Sequence, residues 1–183
     1  MYSLENEISL IVNQEIKDFV KKCITVVPSY FWKIPSSSTG KHHPEDEHGD
    51  GGEVLHTKRV VKISDDLCRN FNVVGNDRDC VIAAAIMHDF VKNGFPDNQN
   101  RTVPGHGALW INVVDKFMKQ YEVLNSPFIP IIGRIIANHM GRWDIPFVIA
   151  NNELDLIVQI ADYVSSREYI KIDVEKGDSG WKT

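Results

Sequence analysis

The chain has 183 residues, of which 43% are hydrophobic and 25% are charged. This length and composition suit one well-packed domain better than two. No apolar run reaches the roughly 18 residues that a membrane span requires, and the N-terminal residues lack the basic and then apolar pattern of a signal peptide. We therefore expect a cytoplasmic protein without membrane contact. The formal net charge of −5 argues against stable binding to nucleic acid through the whole surface.

The first predicted helix spans residues 4–23, where apolar side chains recur at helical spacing and Ser3 can act as an N-cap. A long irregular segment follows at residues 28–52. Loops of more than about 12 to 15 residues inside a compact domain are commonly functional or disordered. We expect the aromatic and hydroxyl-rich first half of this loop to be functional. The acidic second half, residues 45–50, is predicted to be a solvated excursion.

A further helix is predicted to begin at Val54, where apolar residues recur every three or four positions and His56 shares their face. The next predicted helix, residues 81–92, is a run of apolar helix formers that ends in the adjacent pair His88 and Asp89. Consecutive helical residues point about 100° apart, so this pair can converge on an ion that lies against the last turn. The helix C-terminus carries partial negative charge, which favours a bound cation there.

Three more helices complete the predicted fold. His106 heads the buried face of one, His139 shares the apolar face of another, and Asp162 lies beside the inward residues of the last. No internal repeat and no sustained strand alternation is evident in the sequence. The pattern therefore predicts an all-α, single-domain helical bundle over residues 1–170, with one long functional loop between its first two helices and a polar tail at residues 171–183.

Metal-competent side chains recur on the inward faces of these helices. A lone histidine on an apolar face is more often a core residue than a ligand, but four histidines and two carboxylates buried without a cation would leave many polar groups needing partners. Helical bundles commonly build metal sites from inward side chains. Imidazole and carboxylate suit zinc, manganese, iron, cobalt or nickel better than calcium. The predicted ligands are His56, His88, Asp89, His106, His139 and Asp162.

The order of these residues, a His, a His-Asp doublet, two further His and a late Asp, resembles that of the HD-domain metal-dependent phosphohydrolases. The resemblance covers roughly residues 32–169 and implies the HD-domain fold. It implies a principal metal ion held by His56, His88, Asp89 and Asp162. Family members with two further histidines often hold a second ion, which would place His106 and His139 on that ion with Asp89 bridging. We therefore expect one or two divalent transition-metal ions.

The same resemblance gives catalytic roles to Asp89 and to Lys92, three residues later. Many phosphodiesterases of the family carry Lys at this place, close to the substrate phosphate, whereas some nucleotidases carry an acidic residue that helps to activate water. Residues 38–44, ahead of the first ligand, are similar to the leader of phage-type HD hydrolases. That group includes deoxyadenosine triphosphate triphosphohydrolases, and a similar leader occurs in some HD 3′→5′ exoribonucleases. A phage-encoded protein of this kind would act in the host cytoplasm.

Cationic side chains in or beside the loops nearest the predicted ligands would offset the charge of a polyphosphate, although each one alone is more typical of solvated surface charge. Trp32, in the aromatic segment of the long loop, can stack on a base, as can Trp143. The same aromatic segment is also typical of a hydrophobic plug that holds a loop to a bundle. The predicted substrate-binding residues are Trp32, Ser38, Lys41, His43, Lys92, Arg101 and Arg142.

Taken with the resemblance, these residues favour metal-dependent hydrolysis of nucleotide phosphates, with a purine deoxynucleotide, dATP in particular, as the leading substrate. One alternative is a 3′→5′ phosphodiesterase or exonuclease on short oligonucleotides, which Lys92 and a two-ion site would suit. The other is a non-catalytic metal- or nucleotide-binding module. A single stacking platform suits a mononucleotide better than a strand. The base, the sugar, the phosphate number and the oligomeric state, including a homo-oligomer, stay open.

Overall fold

The computed structural model of the protein describes residues 2–96, 98–120, 126–143 and 152–174, without the side chains of residues 117–120. Within these ranges the chain forms seven α-helices and no strand, which confirms the predicted all-α, single-domain fold. The helices are α1 (Glu5–Ser9), α2 (Gln14–Ile24), α3 (Gly52–Asn70), α4 (Gly75–Met87), α5 (His106–Gln120), α6 (Phe128–Asn138) and α7 (Glu153–Ser165). None of the described helices has both the length and the apolar character that crossing a membrane requires. Of the predicted tail, residues 175–183 lie outside the described ranges.

Helix α4 lies at the centre of the bundle, in contact with α1, α2, α3, α6 and α7. Residues 79–87 of this helix are all buried, which is the pattern of a core helix and not of an amphipathic surface helix. Burying one Val or Ile side chain contributes roughly 1.5–3 kcal/mol, so α4 supplies a large part of the packing free energy. Because α4 is central, the residues that follow its C-terminal end also lie inside the protein.

The central helix is shorter than predicted. It ends at Met87, and residues 88–93 form consecutive turns where the sequence predicts helix up to residue 92. Gly94 follows with a φ of +102°, a conformation that glycine adopts without steric cost. His88, Asp89 and Lys92 are buried in these turns. The change from helix to turn therefore keeps the predicted functional residues inside the bundle.

The first predicted helix is two helices, and the prediction of one continuous helix is wrong at residues 10–13. The carboxylate of Asp79 in α4 accepts hydrogen bonds from the backbone N–H groups of Val12 and Asn13, at 2.9 and 2.6 Å. The side chain of Asn13 then caps α2 by accepting from the N–H groups of Glu15 and Ile16. Val12, which belongs to the predicted apolar stripe, is 81% exposed at this break.

The prediction that the acidic half of the long loop is a solvated excursion is wrong at Glu47, while the other residues of 45–50 are exposed. This half forms a short 3-10 helix at Glu45–Glu47, and the Glu47 side chain is completely buried. The Glu47 carboxylate pairs with Arg59 of α3 and with His43. A side chain at Gly52 would collide with the Glu47 backbone, so glycine allows the loop to approach the start of α3 this closely.

Candidate metal centre

Five helices deliver metal-competent side chains to one end of the bundle. The ring centroids lie 5.5 Å apart between His56 and His88, 5.1 Å between His88 and His139, and 4.9 Å between His106 and His139. His56 Nε2 lies 3.0 Å from Asp162 Oδ1. The structure thus brings all six predicted ligands together: His56 of α3, His88 and Asp89 after α4, His106 of α5, His139 after α6 and Asp162 of α7.

Three of these histidines are held in the tautomer that a metal ligand needs. In each ring Nδ1 lies at hydrogen-bond distance from the backbone carbonyl three residues earlier. Because a carbonyl oxygen can only accept a hydrogen bond, Nδ1 must carry the hydrogen. In a neutral ring the lone pair that can bind a metal is then on Nε2, as in histidine ligands oriented by a backbone carbonyl. The pairs are His88 with Ala85 (2.8 Å), His106 with Val103 (3.0 Å) and His139 with Ile136 (2.7 Å).

The atoms that face the interior of this cluster are poorly matched to one another. The Nε2 atoms of His106 and His139 are 3.1 Å apart, so two lone pairs face each other unless a proton or a cation lies between them. His88 Nε2 and Asp89 Oδ1 make no hydrogen bond with any described residue, although Asp89 Oδ1 lies 2.8 Å from His106 Nε2. Leaving a buried acceptor unpaired costs about 1–3 kcal/mol. A divalent transition metal fits these nitrogen and oxygen donors and would satisfy them.

Metal-competent atoms of the described residues form three groups: His43, Glu47 and His56 make up one of them, and the other two share one carboxylate. Of these two, the first is Glu53, His56, His88 and Asp89, the second is Asp89, His106 and His139, and the ligand atoms within each group lie within 4.8 Å of one another. Asp162 adjoins the first group through His56. The arrangement has room for one or two ions, with Asp89 common to both. The number of ions stays a prediction.

Glu53 is a residue of the site that the sequence analysis missed. Its side chain is completely buried, and its Oε2 accepts a hydrogen bond from Lys92 Nζ at 3.0 Å, while Asp89 Oδ2 accepts one from the same ammonium at 2.8 Å. Burial raises the pKa of Glu53 to about 8 despite the nearby Lys92. The available signal was its place three residues before His56, on the same helical face. Lys92 thus donates hydrogen bonds to the side chains of two acidic residues, one of them a predicted ligand.

Burial and neighbouring charges set the protonation states of the cluster. Burial lowers the pKa of His88 to about 4, so this ring is neutral at pH 7 and able to bind a metal. Burial alone would raise the pKa of Asp89, but Lys92 and the nearby histidines hold it well below its usual range. Burial would lower the pKa of His56, yet its hydrogen bond with Asp162 and the nearby glutamates raise it to about 9. A metal ion would have to displace the proton from His56.

Glu47 is the second buried acid that the sequence analysis missed, since it stands in a run that reads as surface charge. Its Oε2 lies 2.8 Å from His43 Nδ1 and 3.7 Å from His56 Nδ1, and its other oxygen pairs with Arg59. The buried guanidinium compensates the charge of the buried carboxylate. Glu47 therefore fixes the position of His43 next to the metal-competent cluster.

A cavity of about 890 Å³ opens onto the cluster, a volume within the range of about 300–1,000 Å³ that is usual for small-molecule sites. Among the metal-competent residues, its lining includes Asp89, His106, His139 and Asp162. Among the predicted substrate residues, its lining includes Ser38, His43, Lys92 and Arg142. The predicted metal ligands and part of the predicted substrate site are therefore one continuous surface.

The structure does not bring Trp32, Lys41 and Arg101 to the lining of this cavity. Trp32 packs edge-on against Phe31 with ring centroids 5.2 Å apart, and Phe31 is completely buried. The aromatic segment of the loop is therefore the hydrophobic plug that the sequence analysis left open, because its rings complete the core. Lys41 and Arg101 are exposed. By contrast, Trp143 lines the cavity.

An all-helical domain whose buried histidines and carboxylates open onto a cavity has the features of a metalloenzyme. A family model described as HD domain matches residues 54–167, which is more than half of the chain. The protein therefore belongs to the HD-domain family, whose members are typically metal-dependent phosphohydrolases that bind divalent ions. No curated protein and no solved structure matches the chain.

Proposed function

We propose that the protein is a metal-dependent phosphohydrolase of nucleotides, with a purine deoxynucleotide, dATP in particular, as its leading substrate. The observation that carries the proposal is the direct opening of the ligand cluster onto a cavity of about 890 Å³. Membership of the HD-domain family supports phosphohydrolysis, and the cavity volume supports a small molecule. The choice of dATP depends on the resemblance of residues 38–44 to the leader of phage-type enzymes.

When bound, a divalent ion supplies Lewis acidity toward a phosphoryl oxygen and lowers the pKa of a water molecule. The residues that would hold the principal ion are His56, His88, Asp89 and Asp162. Lys92 orients Asp89 through the hydrogen bond to Oδ2, which leaves Oδ1 turned toward the histidines. Because Lys92 also lines the cavity, its ammonium can offset negative charge on a phosphate.

The cavity offers further partners for a polyphosphate chain. Arg142 and Arg167 belong to its lining, as do Ser37, Ser38 and Thr39. Guanidinium groups bind phosphate oxygens in a bidentate manner, and hydroxyl groups donate hydrogen bonds to them. These groups would bind and orient the phosphates against the metal-competent residues, and the surrounding protein would exclude bulk water from part of the substrate.

The experiment is a hydrolysis screen of the purified protein against nucleoside mono-, di- and triphosphates of both sugars, with several divalent metals and chromatography of the products. We expect cleavage of deoxynucleotides, with dATP preferred. Asp89→Asn should be inactive. Asp66→Asn, which makes the same change at an exposed carboxylate of α3, should retain the activity of the wild type.

The same screen includes short single-stranded DNA and RNA. Cleavage of these strands without turnover of any free nucleotide would replace the proposal with the 3′→5′ phosphodiesterase reading, which the sharing of Asp89 by two ligand groups favours. Protein that is fully loaded with metal and cleaves neither nucleotides nor strands would indicate a non-catalytic binding module.

A further inference from the structure

One wall of the cavity exposes large apolar side chains to solvent. Trp143 is 62% exposed, Leu156 is 44% exposed and Tyr163 is 43% exposed, and all three line the cavity. Single exposed apolar residues are ordinary in soluble proteins, but a group of them in a concave site is typical of a ligand-binding surface. The proposed metal chemistry uses none of these three side chains.

Helix α7 joins this wall to the metal-competent cluster. Leu156, Gln159 and Tyr163 are spaced three and four residues apart, so they share one face of the helix. Asp162, a predicted metal ligand, follows Gln159 by three residues, which is roughly 4.5 Å along the helix axis. A ligand that contacts this face of α7 therefore lies within a few ångströms of the metal-competent cluster.

Arginine side chains cover one face of each aromatic ring in the wall. The guanidinium carbon of Arg142 lies 4.7 Å from the ring centroid of Trp143, and that of Arg167 lies 4.5 Å from the ring centroid of Tyr163. These cation–π contacts restrain the rings and place positive charge next to them. Trp143 and Tyr163 nevertheless stay 62% and 43% exposed, which leaves ring surface for a flat ligand.

Gln159 supplies the polar group of the wall. Its side chain lines the cavity, and no hydrogen bond joins its amide to any described residue. Gly141, with a φ of +52°, lies directly beneath this amide, since a Cβ at position 141 would overlap Gln159 Nε2. The absence of a side chain at Gly141 therefore allows the Gln159 amide to occupy its place in the wall.

We propose that this wall is the base-binding subsite, in which a nucleobase stacks on Trp143 beside Tyr163 and the Gln159 amide reads the edge of the base. A carboxamide presents a donor and an acceptor side by side, the pattern that matches N7 and the N6 amino group of adenine. Read at this edge, the subsite favours adenine over guanine, because N7 and O6 of guanine are both acceptors. This inference rests on the proposed nucleotide phosphohydrolase function and names the residues that would select its substrate.

The test measures affinity as well as turnover. Calorimetry should show that Trp143→Ala binds deoxyadenosine and dATP about 5- to 150-fold more weakly than the wild type, the range for loss of one stacked base. The metal content of this variant should change little, and its KM should rise by a larger factor than its kcat falls. Phe71→Ala, which removes an exposed aromatic side chain outside the cavity lining, is the matched control and should bind like the wild type.

Base selection is tested separately with Gln159→Leu, which keeps the size of the side chain and removes its amide. We expect the ratio of kcat/KM for dATP to that for dGTP to fall at least about 10-fold, since a bidentate contact contributes about that much discrimination or more. Gln159→Asn, which keeps the amide at a shorter reach, should retain a preference for adenine.

The outcomes separate this inference from the proposed function. Nucleotide hydrolysis with unchanged affinity and base preference in Trp143→Ala and Gln159→Leu would overturn the base subsite and leave the phosphohydrolase. A loss of base affinity in Trp32→Ala alone would move the base to the long loop. Deoxyadenosine binding that depends on Trp143 in a protein without hydrolytic activity would retain the subsite and overturn the proposed function. Absence of any nucleoside binding overturns the subsite.

Discussion

Asp89 is the single residue on which the candidate metal centre depends most, because its two oxygens face different partners. Oδ2 accepts the hydrogen bond of Lys92, whereas Oδ1 lies 2.8 Å from His106 Nε2 and 3.5 Å from His139 Nε2. The carboxylate therefore belongs to both ligand groups at once. A change at this position should affect metal binding by either group.

We predict that Asp89→Ala loses both bound metal and hydrolytic activity. The variant removes a ligand and leaves the Lys92 ammonium without one of its two carboxylate partners, so it introduces positive charge without compensation into the site. Elemental analysis of the purified protein gives the metal content, and a phosphate-release assay gives the activity. Asp89→Ala protein with full metal content would count against the assignment of this residue as a ligand.

The number of ions is tested at His106 and His139. If these residues bind a second ion, replacing either one with Ala should reduce the metal content by about one ion per chain while the helical circular dichroism stays unchanged. The second reading is that they contact the substrate phosphate beside a single ion. Unchanged metal content with a much higher KM would select this second reading.

At the scale of the helices, polar contacts between distant segments hold the elements in place. The break between α1 and α2 depends on Asp79, which lies 67 residues beyond Val12 in the chain, and α1 is joined to α3 by the ion pair between Glu7 and Lys58 at 3.0 Å. Hydrophobic periodicity reports which face of a segment is buried, and it carries no information about such a distant acceptor. The sequence therefore predicted apolar faces and missed the interruption.

The ion pair between Glu7 and Lys58 gives a prediction about stability. Both side chains are at most 3% exposed, so Lys58→Ala leaves a carboxylate in a buried position and should lower the free energy of unfolding by about 3–5 kcal/mol. Replacing the pair with Glu7→Leu and Lys58→Met should leave the stability unchanged or increase it. Urea unfolding followed by circular dichroism measures both variants. Equal destabilisation by the single and the double replacement would show that the pair itself stabilises the fold.

At the scale of the whole molecule, the reactivity of the three cysteines measures how often the folded domain opens. Cys23, Cys68 and Cys80 are free and completely buried, on α2, α3 and α4. Burial raises the pKa of Cys68 and of Cys80 to about 12, and the thiolate is the reactive form. These thiols should react only when the domain opens.

We predict that iodoacetamide at pH 8 leaves the three thiols of the folded protein unmodified and modifies all of them in urea. Because burial excludes the reagent and disfavours the thiolate, the protection should persist as long as the domain stays folded. Removing the metal with a chelator should speed the labelling, and adding it at 100 times its Kd should slow the labelling about 100-fold, since ligand binding stabilises the folded state by that ratio. Mass spectrometry of the intact protein counts the modified thiols. A labelling rate that does not depend on metal would show that no ion is coupled to folding.

The sequence predicted the class of fold and the six residues that meet at the candidate metal centre, because both follow from helical spacing and residue type. Glu47 and Glu53 escaped prediction, since the spacing of a buried acid and of a solvated one is the same and only the partners differ. Arg59 pairs with the buried Glu47, and Lys92 donates a hydrogen bond to the buried Glu53. Trp32 was predicted to carry the base because it is aromatic and near the leader, yet its ring completes the core of the loop.

The central position of α4 also affects how the result of a genetic selection for activity should be interpreted. Ala83, Ala84 and Ala85 are completely buried, and inserting extra methylenes into a packed core costs about 1–3 kcal/mol, so large residues there would be rejected by the selection. Substitutions at Asp89 would be rejected because they remove a predicted metal ligand. The two cases differ in cellular abundance, which falls for the overpacked variants and is retained when only the chemistry is lost. Intolerance to substitution therefore tests the candidate active site only when the amount of folded protein is measured beside activity.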